Sequence, residues 1–228
     1  MEIVEYNFRG TKFKAVKGDW LAKSIAANKY YDRDGLAYSK QFIKKNSVVI
    51  DAGANIGNHS LFYLKECNCS FLHAFEPHPF MFRLLTENLS GYKNKILHQN
   101  GLSDKETKVS ASIINEKHVG STTYHSDVNG KLVLKTIDSF NMPKVDFIKI
   151  DVEGYEYEVI NGAKNTIKRC RPTISVEVRE VNSKSAGDNK VILRETASSV
   201  IGIMKSLNYK LVNTMRIGAT QMFWCPNA

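Results

Sequence analysis

The chain has 228 residues, 43% of them hydrophobic and 24% charged, which suits one well-packed globular domain and leaves no compositional sign of a second large domain or a long disordered region. No apolar run approaches the length that crosses a bilayer, and charges interrupt residues 1–20 too often for a secretory signal. The four cysteines, Cys67, Cys69, Cys170 and Cys225, form no C-x-x-C pair, so the expectation is reduced thiols in a cytoplasmic protein rather than a zinc site or a redox motif.

Residues 1–18 alternate apolar and polar around Arg9-Gly10 and read as a hairpin. Residues 19–45 read as helical or mixed and hold the cluster Tyr30, Tyr31, Asp32 and Asp34. A regular beat then begins. The apolar run at 47–50 suits a strand buried on both faces, and 71–75, 95–98, 145–150 and 173–178 read as further strands. Helical patterns lie near 57–66, 78–90, 155–168 and 191–207, with Phe80, Phe82, Leu84, Leu85 and Leu89 on the apolar side of the second. Residues 107–113 and 131–135 read as a hairpin-like excursion, and 209–212 and 220–224 as two closing strands around Arg216-Ile217-Gly218. Tyr30, Tyr31, Phe80 and Trp224 are read as core aromatics.

Strands alternating with helices predict an α/β protein with a mostly parallel sheet covered on both faces. The closing hairpin predicts an antiparallel C-terminal strand, so the expected architecture is a mostly parallel, seven-stranded sheet ending in that strand. The predicted division is a flanking segment over 1–45, a candidate substrate cover, and the main domain over 46–228.

The net charge of +9 is unevenly spread. Residues 46–180 carry 16 basic and 16 acidic side chains, residues 1–45 carry 10 and 5, and residues 181–228 carry 6 and 2. Flanks folded over one face would present a positive surface to an anionic partner, whereas generic solvated lysine is the plainer reading.

The most informative stretch is Val49-Ile50-Asp51-Ala52-Gly53-Ala54-Asn55-Ile56-Gly57-Asn58, between a strand and a helix. Glycines there let the backbone turn tightly and approach a ligand, and the following helix start offers free N–H groups. A dinucleotide fingerprint would need glycine at 55 and 58, where Asn55 and Asn58 stand, and Gly57 is followed by Asn58-His59 rather than the Lys-Ser/Thr of a phosphate loop. The remaining pattern suits a ligand with a carboxylate and an ammonium but no pyrophosphate, as in S-adenosylmethionine. Twenty-five residues after Asp51, Glu76-Pro77 ends the second strand. An acid at that position can accept from both ribose hydroxyls, and Pro77 stops the strand where a cleft opens.

With these residues in place the chain resembles the FkbM family of methyltransferases, through VVIDAGANIGNHS at 48–60, FEPHPFMFRLLTENL at 75–89, NGLSD at 100–104, TIDSF at 136–140, FIKIDVEGYEYEVINGA at 147–163 and PTISVEV at 172–178. The resemblance implies a Rossmann-like methyltransferase fold, S-adenosylmethionine as cofactor, and O-methylation of sugar or natural-product hydroxyls. It implies that Asp51, Gly53, Asn55, Ile56 and Gly57 line the methionine end of the cofactor. Glu76 and Pro77 would lie at the ribose, Gly101, Leu102 and Ser103 near the adenine, and Asp151 and Glu153 at the methyl group or acceptor.

Methyl transfer to a hydroxyl is mainly a positioning problem, helped by a general base. Asp151 and Glu153 share a face if their strand runs to 153; such a pair could hold the cofactor ammonium, bind a divalent metal or deprotonate the acceptor, and the sequence leaves the metal open. Asp151 is read as functional rather than as a cap for a helix starting near Tyr155, and Glu156 as structural. His78 is a second candidate base, Glu177 a candidate substrate contact, and the polar loop 120–123 flanked by His118 and His125 another. A nucleic-acid partner is disfavoured. Asp151-Val152-Glu153-Gly154 stands where amino-group methylases of bases carry an Asn/Asp-Pro-Pro-aromatic turn, and no Pro-Cys serves carbon methylation. An inactive cofactor-binding scaffold is the non-enzymatic alternative. The expected role is O-methylation of a small molecule or glycan, in settings such as surface polysaccharide synthesis.

Overall fold

A computed structural model describes residues 1–112, 123–127, 129–178, 189–217 and 219–227. The N-terminal hairpin pairs β1 (Ile3–Phe8) with β2 (Thr11–Val16). Arg9 and Gly10 both have positive φ, 49° and 76°, the conformation that lets a two-residue turn follow the twist of its strands. Helices α1 (Trp20–Ala26) and α2 (Arg33–Ser39) follow, the first capped by the Asp19 carboxylate accepting from Leu21 N.

The main body then runs β3 (Val48–Ala52), α3 (Asn58–Lys65), β4 (Phe71–Phe75), α4 (Pro79–Asn88), β5 (Lys95–His98), β6 (Gly101–Leu102), β7 (Thr107–Ser112), β8 (Thr123–Ser126) and β9 (Leu132–Lys135). After these come β10 (Phe147–Ile150), α5 (Glu156–Asn161), α6 (Lys164–Cys170), β11 (Thr173–Val178), α7 (Asn189–Ser206), β12 (Tyr209–Ile217) and β13 (Ala219–Pro226).

Among the described residues, seven strands form one sheet in the order β12-β13-β11-β10-β3-β4-β5. β5, β4, β3, β10 and β11 are mutually parallel, and β13 alone runs against its neighbours. The expected sheet with its antiparallel C-terminal strand is therefore the observed one. Strand order reverses between β3 and β10, the position where open α/β sheets bind ligands outside their carboxyl ends.

Both faces of the sheet are covered, which explains why its strands are rich in apolar residues. On one side Val49, Leu72, Ala74 and Phe147 pack with Leu61, Leu84 and Leu85, and with Phe8 and Phe13 of the hairpin. On the other, Ile50, Ile148, Ile150, Ile174 and Val176 pack with Val159, Ile160, Val200 and Met204. Segment 1–45 thus shares one core with the main body, and Tyr38 and Phe42 meet Phe223 of β13 at ring centroids 4.6 and 6.3 Å apart.

Several expectations change in detail. The excursion between β5 and β10 is a second, four-stranded sheet ordered β6-β9-β7-β8. The helix expected over 155–168 is two helices broken at Gly162-Ala163. A Cβ at Gly162 would lie 2.1 Å from the Ser103 carbonyl oxygen, and the new helix start is capped from afar by Asp138, which accepts from Asn165 N and Thr166 N at 3.0 and 2.7 Å. Tyr30 and Trp224 are core residues and Phe80 is half-buried, but Tyr31 is 46% exposed because it stands at the mouth of a cleft. In the N-terminal flank, Arg9, Lys12, Lys14 and Lys17 pair with Glu66, Glu5, Glu87 and Glu2. None of these four lines the cleft. The four cysteines are unbridged. No described helix is long and apolar enough to cross a membrane.

Candidate functional site

The carboxyl ends of β3, β4, β10 and β11 open into two chambers that share Gly53, Asn55, Asp151 and Glu153.

The first chamber is built around Glu76. Its residue is 6% exposed, yet it lines the cavity. Oε2 accepts from Asn55 N at 3.0 Å and Oε1 from His78 N at 2.8 Å, so the carboxylate is held rigidly and keeps further lone pairs for a ligand. Burial pushes its pKa up to about 7, against the lowering effect of those two N–H bonds. Beside it Phe75, Met81, Leu102 and Leu134 form an apolar slot. Tyr124, from the second sheet, faces the same space, with burial raising its pKa.

Gly53 sets the approach of the loop to β10. Its φ is +76°, and a Cβ there would sit 1.8 Å from the Asp151 carbonyl oxygen. Only glycine allows this crossing.

Behind the loop lies a buried ion-pair cluster. Lys149 and Asp51 are partners in the parallel register of β10 and β3. Lys149 Nζ lies 3.2 Å from Asp51 Oδ1 and 3.4 Å from Asp151 Oδ2, and donates to the Gly53 carbonyl at 2.8 Å. Asp51 Oδ2 accepts from Ser60 Oγ at 2.7 Å. Burial alone would lower the Lys149 pKa, but the Asp51 and Asp151 carboxylates outweigh it and raise it. One ammonium therefore ties together the strand, the glycine loop and Asp151.

The second chamber is walled by Asp151, Glu153 and Glu177 on one side and by Trp20, Leu21 and Tyr31 on the other. Asn58 clamps residue 31, donating from Nδ2 to Tyr31 O and accepting at Oδ1 from Tyr31 N, both at 3.1 Å. Burial, reinforced by Asp151, pushes the Glu177 pKa up to about 8.

Of the residues singled out from sequence, Gly53, Asn55, Glu76, Pro77, His78, Gly101, Leu102, Asp151 and Glu153 line the first chamber, and Glu177 lines the second. Others do not reach it. Asp51 is fully buried within β3 and faces Lys149 instead of the cavity. Ile56 is a core residue, 4% exposed, because the turn points it into the α3–α4 packing. Gly57 is the positive-φ start of α3, against Leu85 and Leu89. Ser103 is buried, its N–H donating to Lys135 O.

The shared-face argument for Asp151 and Glu153 also fails as stated. The strand stops at Ile150, and Glu153 has φ +59° in a tight turn. That turn brings both acids to the cleft, and Glu156 holds it, its Oε1 accepting from Val152 N and Gly154 N at 3.4 and 3.0 Å. Asp151 caps no helix: α5 begins at Glu156, and its N-cap, Tyr155, makes no side-chain capping bond. His78 stands in the first chamber beside Glu76, and burial lowers its pKa. His118 and most of the loop 120–123 lie outside the described residues. Lys149 was not foreseen, although a lone charge in a four-residue apolar strand is itself a signal. Tyr124, His59 and Trp20 carried none. Among the described residues no group of three His, Cys, Asp or Glu side chains is disposed to hold a metal ion.

The fold is that of the Rossmann-like methyltransferases. Among solved structures the chain is similar to an FkbM methyltransferase from Methylobacillus flagellatus, with TM-score 0.56 and 16% identity over 85% of this chain and 46% of that one. A putative rRNA methylase from Clostridium thermocellum gives 0.54 and 13%, over 84% and 93%. At such identities these likenesses concern the fold alone. The chain belongs to the FkbM methyltransferase family, whose domain model matches residues 51–211. Among characterised proteins it is 30% identical over 132 residues to the hexuronic acid methyltransferase AglP of Haloferax volcanii, covering 55% of this chain and 53% of that protein. It is 26% identical over 145 residues to Methyltransferase 1 of Beauveria bassiana, covering 51% and 58%. The chain thus spans about half the length of the curated relatives it matches.

Proposed function

We propose that the protein is an S-adenosylmethionine-dependent O-methyltransferase acting on a sugar or glycan hydroxyl, of the kind used in surface polysaccharide synthesis. The observation that carries the reading is the pair of chambers meeting at Asp151 and Glu153, one with a rigid buried carboxylate beside an apolar slot, the other rich in carboxylates.

The residues of the first chamber fit the cofactor. Glu76 has the unused acceptor capacity a ribose diol needs. The Phe75, Met81, Leu102 and Leu134 slot suits an adenine, and the Gly53–Asn55 backbone lies toward the second chamber, where the amino-acid end belongs. Pro77, Gly101 and Tyr124 complete the wall. When bound, S-adenosylmethionine supplies an electrophilic methyl group on sulfur.

Asp151 lines both chambers, where acceptor and methyl group would meet. It would accept the proton of the acceptor hydroxyl, released as the oxygen–methyl bond forms and the methyl–sulfur bond breaks. Lys149 fixes its orientation from behind. Glu153, at the same junction, orients the acceptor. Trp20, Leu21 and Tyr31 of segment 1–45 cover the second chamber and limit water. The relative that acts on hexuronic acid supports a sugar acceptor.

Calorimetric titration with S-adenosylmethionine, followed by transfer of labelled methyl to a panel of glycosides with and without EDTA, tests this. One-site binding with transfer to a sugar is expected. Absence of cofactor binding refutes the reading, and loss of transfer with EDTA would add a metal to it.

A further inference from the structure

A third, small cavity adjoins the second chamber through Tyr31 and Glu177 and has no role in the reading above. Its floor comes from three neighbouring strands. Glu177 of β11 pairs in register with Gln221 of β13, which pairs in turn with Met215 of β12, so the three side chains stand side by side on one face. Asp32 closes the opposite side from the left-handed start of α2, with φ +54° and no capping bond to that helix.

Gly35 on α2 lets the helix seat this closely. A Cβ there would lie 2.1 Å from Gln221 Oε1 and 2.5 Å from Asp32 Oδ2.

The lining is one-sided in its chemistry. Gln221 is only 9% exposed, and its Oε1 is buried without a hydrogen-bond partner. Asp32 has one near contact, His59 Nε2, at 3.3 Å. No cationic side chain lines the cavity among the described residues, and Lys149, the nearest buried cation, is held by Asp51 and Asp151. Asp32, whose near contact is His59, Glu177, whose burial raises its pKa to about 8, and the unpaired Gln221 amide oxygen converge here, and leaving that buried oxygen without a donor is costly unless a ligand supplies one.

Resting on the sugar-methyltransferase reading, we propose that this cavity receives a primary ammonium group of the acceptor, so that the sugar presented to Asp151 is an amino sugar. An ammonium offers three donors and a positive charge to Asp32, Glu177 and Gln221 Oε1, and the rest of the ring can extend past Tyr31 into the second chamber. A carboxylate placed there would face like charge. This predicts a preference opposite in sign to the hexuronic acid of the archaeal relative.

The test is binding of three methyl glycosides (glucosaminide, glucoside and glucuronide) to the full chain with S-adenosylhomocysteine at pH 7, alongside labelled methyl transfer from S-adenosylmethionine. The glucosaminide should bind about tenfold or more tightly than the glucoside, the value of one good charged hydrogen bond, and the glucuronide most weakly. Asp32→Asn and, separately, Gln221→Met should each shrink the amine preference towards parity; two variants guard against one failing to fold. Equal binding of glucosaminide and glucoside, or a preference that neither variant moves, overturns the proposal. Binding decides the cavity and transfer decides the parent reading: selective binding of the amine with no transfer to any sugar would sink the sugar reading and sustain the ammonium site.

Discussion

Replacing Lys149 by methionine should strip the glycine loop of its anchor and leave Asp51 as a buried, uncompensated charge. Lys149 is 3% exposed and Asp51 fully buried. At their 3.2 Å separation, Coulomb attraction in an effective dielectric of about 20 is about 5 kcal/mol. The measured cost of removing one partner of such a pair is about 3–5 kcal/mol. For a chain of this size that corresponds to a fall of roughly 6–20 °C in the unfolding midpoint. Differential scanning calorimetry reads it directly. The double variant Lys149→Met/Asp51→Asn should recover much of the loss, because no unpaired charge then remains; Asp151 is 29% exposed at its side chain and can hydrate. A single-variant loss below about 1 kcal/mol, or no recovery in the double variant, would refute the claim that one ammonium holds strand and loop together.

Further outcomes follow from the same geometry. Glu76→Gln should weaken S-adenosylmethionine binding about 10- to 100-fold, the value of charged hydrogen bonds to a ribose, as read by calorimetry. Because the free Glu76 carboxyl is raised to about 7 and hydroxyl donors favour its ionised form, cofactor affinity should fall as pH drops below about 7, by up to about tenfold per unit; a flat profile from pH 5 to 8 contradicts this. Asp151→Asn should lower turnover by about a hundredfold or more while changing the cofactor Kd less than about threefold; unchanged turnover in a label-transfer assay removes Asp151 from the chemistry. Gly53→Ala meets both a backbone clash and a positive φ, so it should cost more than about 2 kcal/mol of stability and abolish cofactor binding.

The fold was legible because its strands bury both faces. Phe71–Phe75 and Thr173–Val178 are short, apolar-rich stretches, and each forms a strand with those bounds, as does the edge strand Lys95–His98 despite its half-exposed Ile96. What escaped depends on distant residues. The break at Gly162 answers to Ser103 and to a cap from Asp138, neither of which local pattern can reveal. Asp51 reads as a ligand contact until β10 supplies Lys149 opposite it in register. Glu153 reaches the cleft by a left-handed turn rather than by strand parity. Tyr124 and Trp20 enter the chambers from elements far along the chain, and no local motif marks them. Gly53, Asn55, Glu76 and Asp151 were readable because a loop that must approach a ligand needs glycine, and the two acids stand where strands end.

The central claim is methyl transfer to a sugar oxygen in the cleft around Asp151. Its most direct measurement is incubation of the protein with methyl-labelled S-adenosylmethionine and a panel of neutral, amino and acidic glycosides, followed by mass and NMR analysis of any labelled sugar before and after mild alkali. The account predicts an alkali-stable methyl ether on a ring hydroxyl, with its formation lost in Asp151→Asn. Label found only in an alkali-labile ester, or on nucleic acid with none on any sugar, would contradict it.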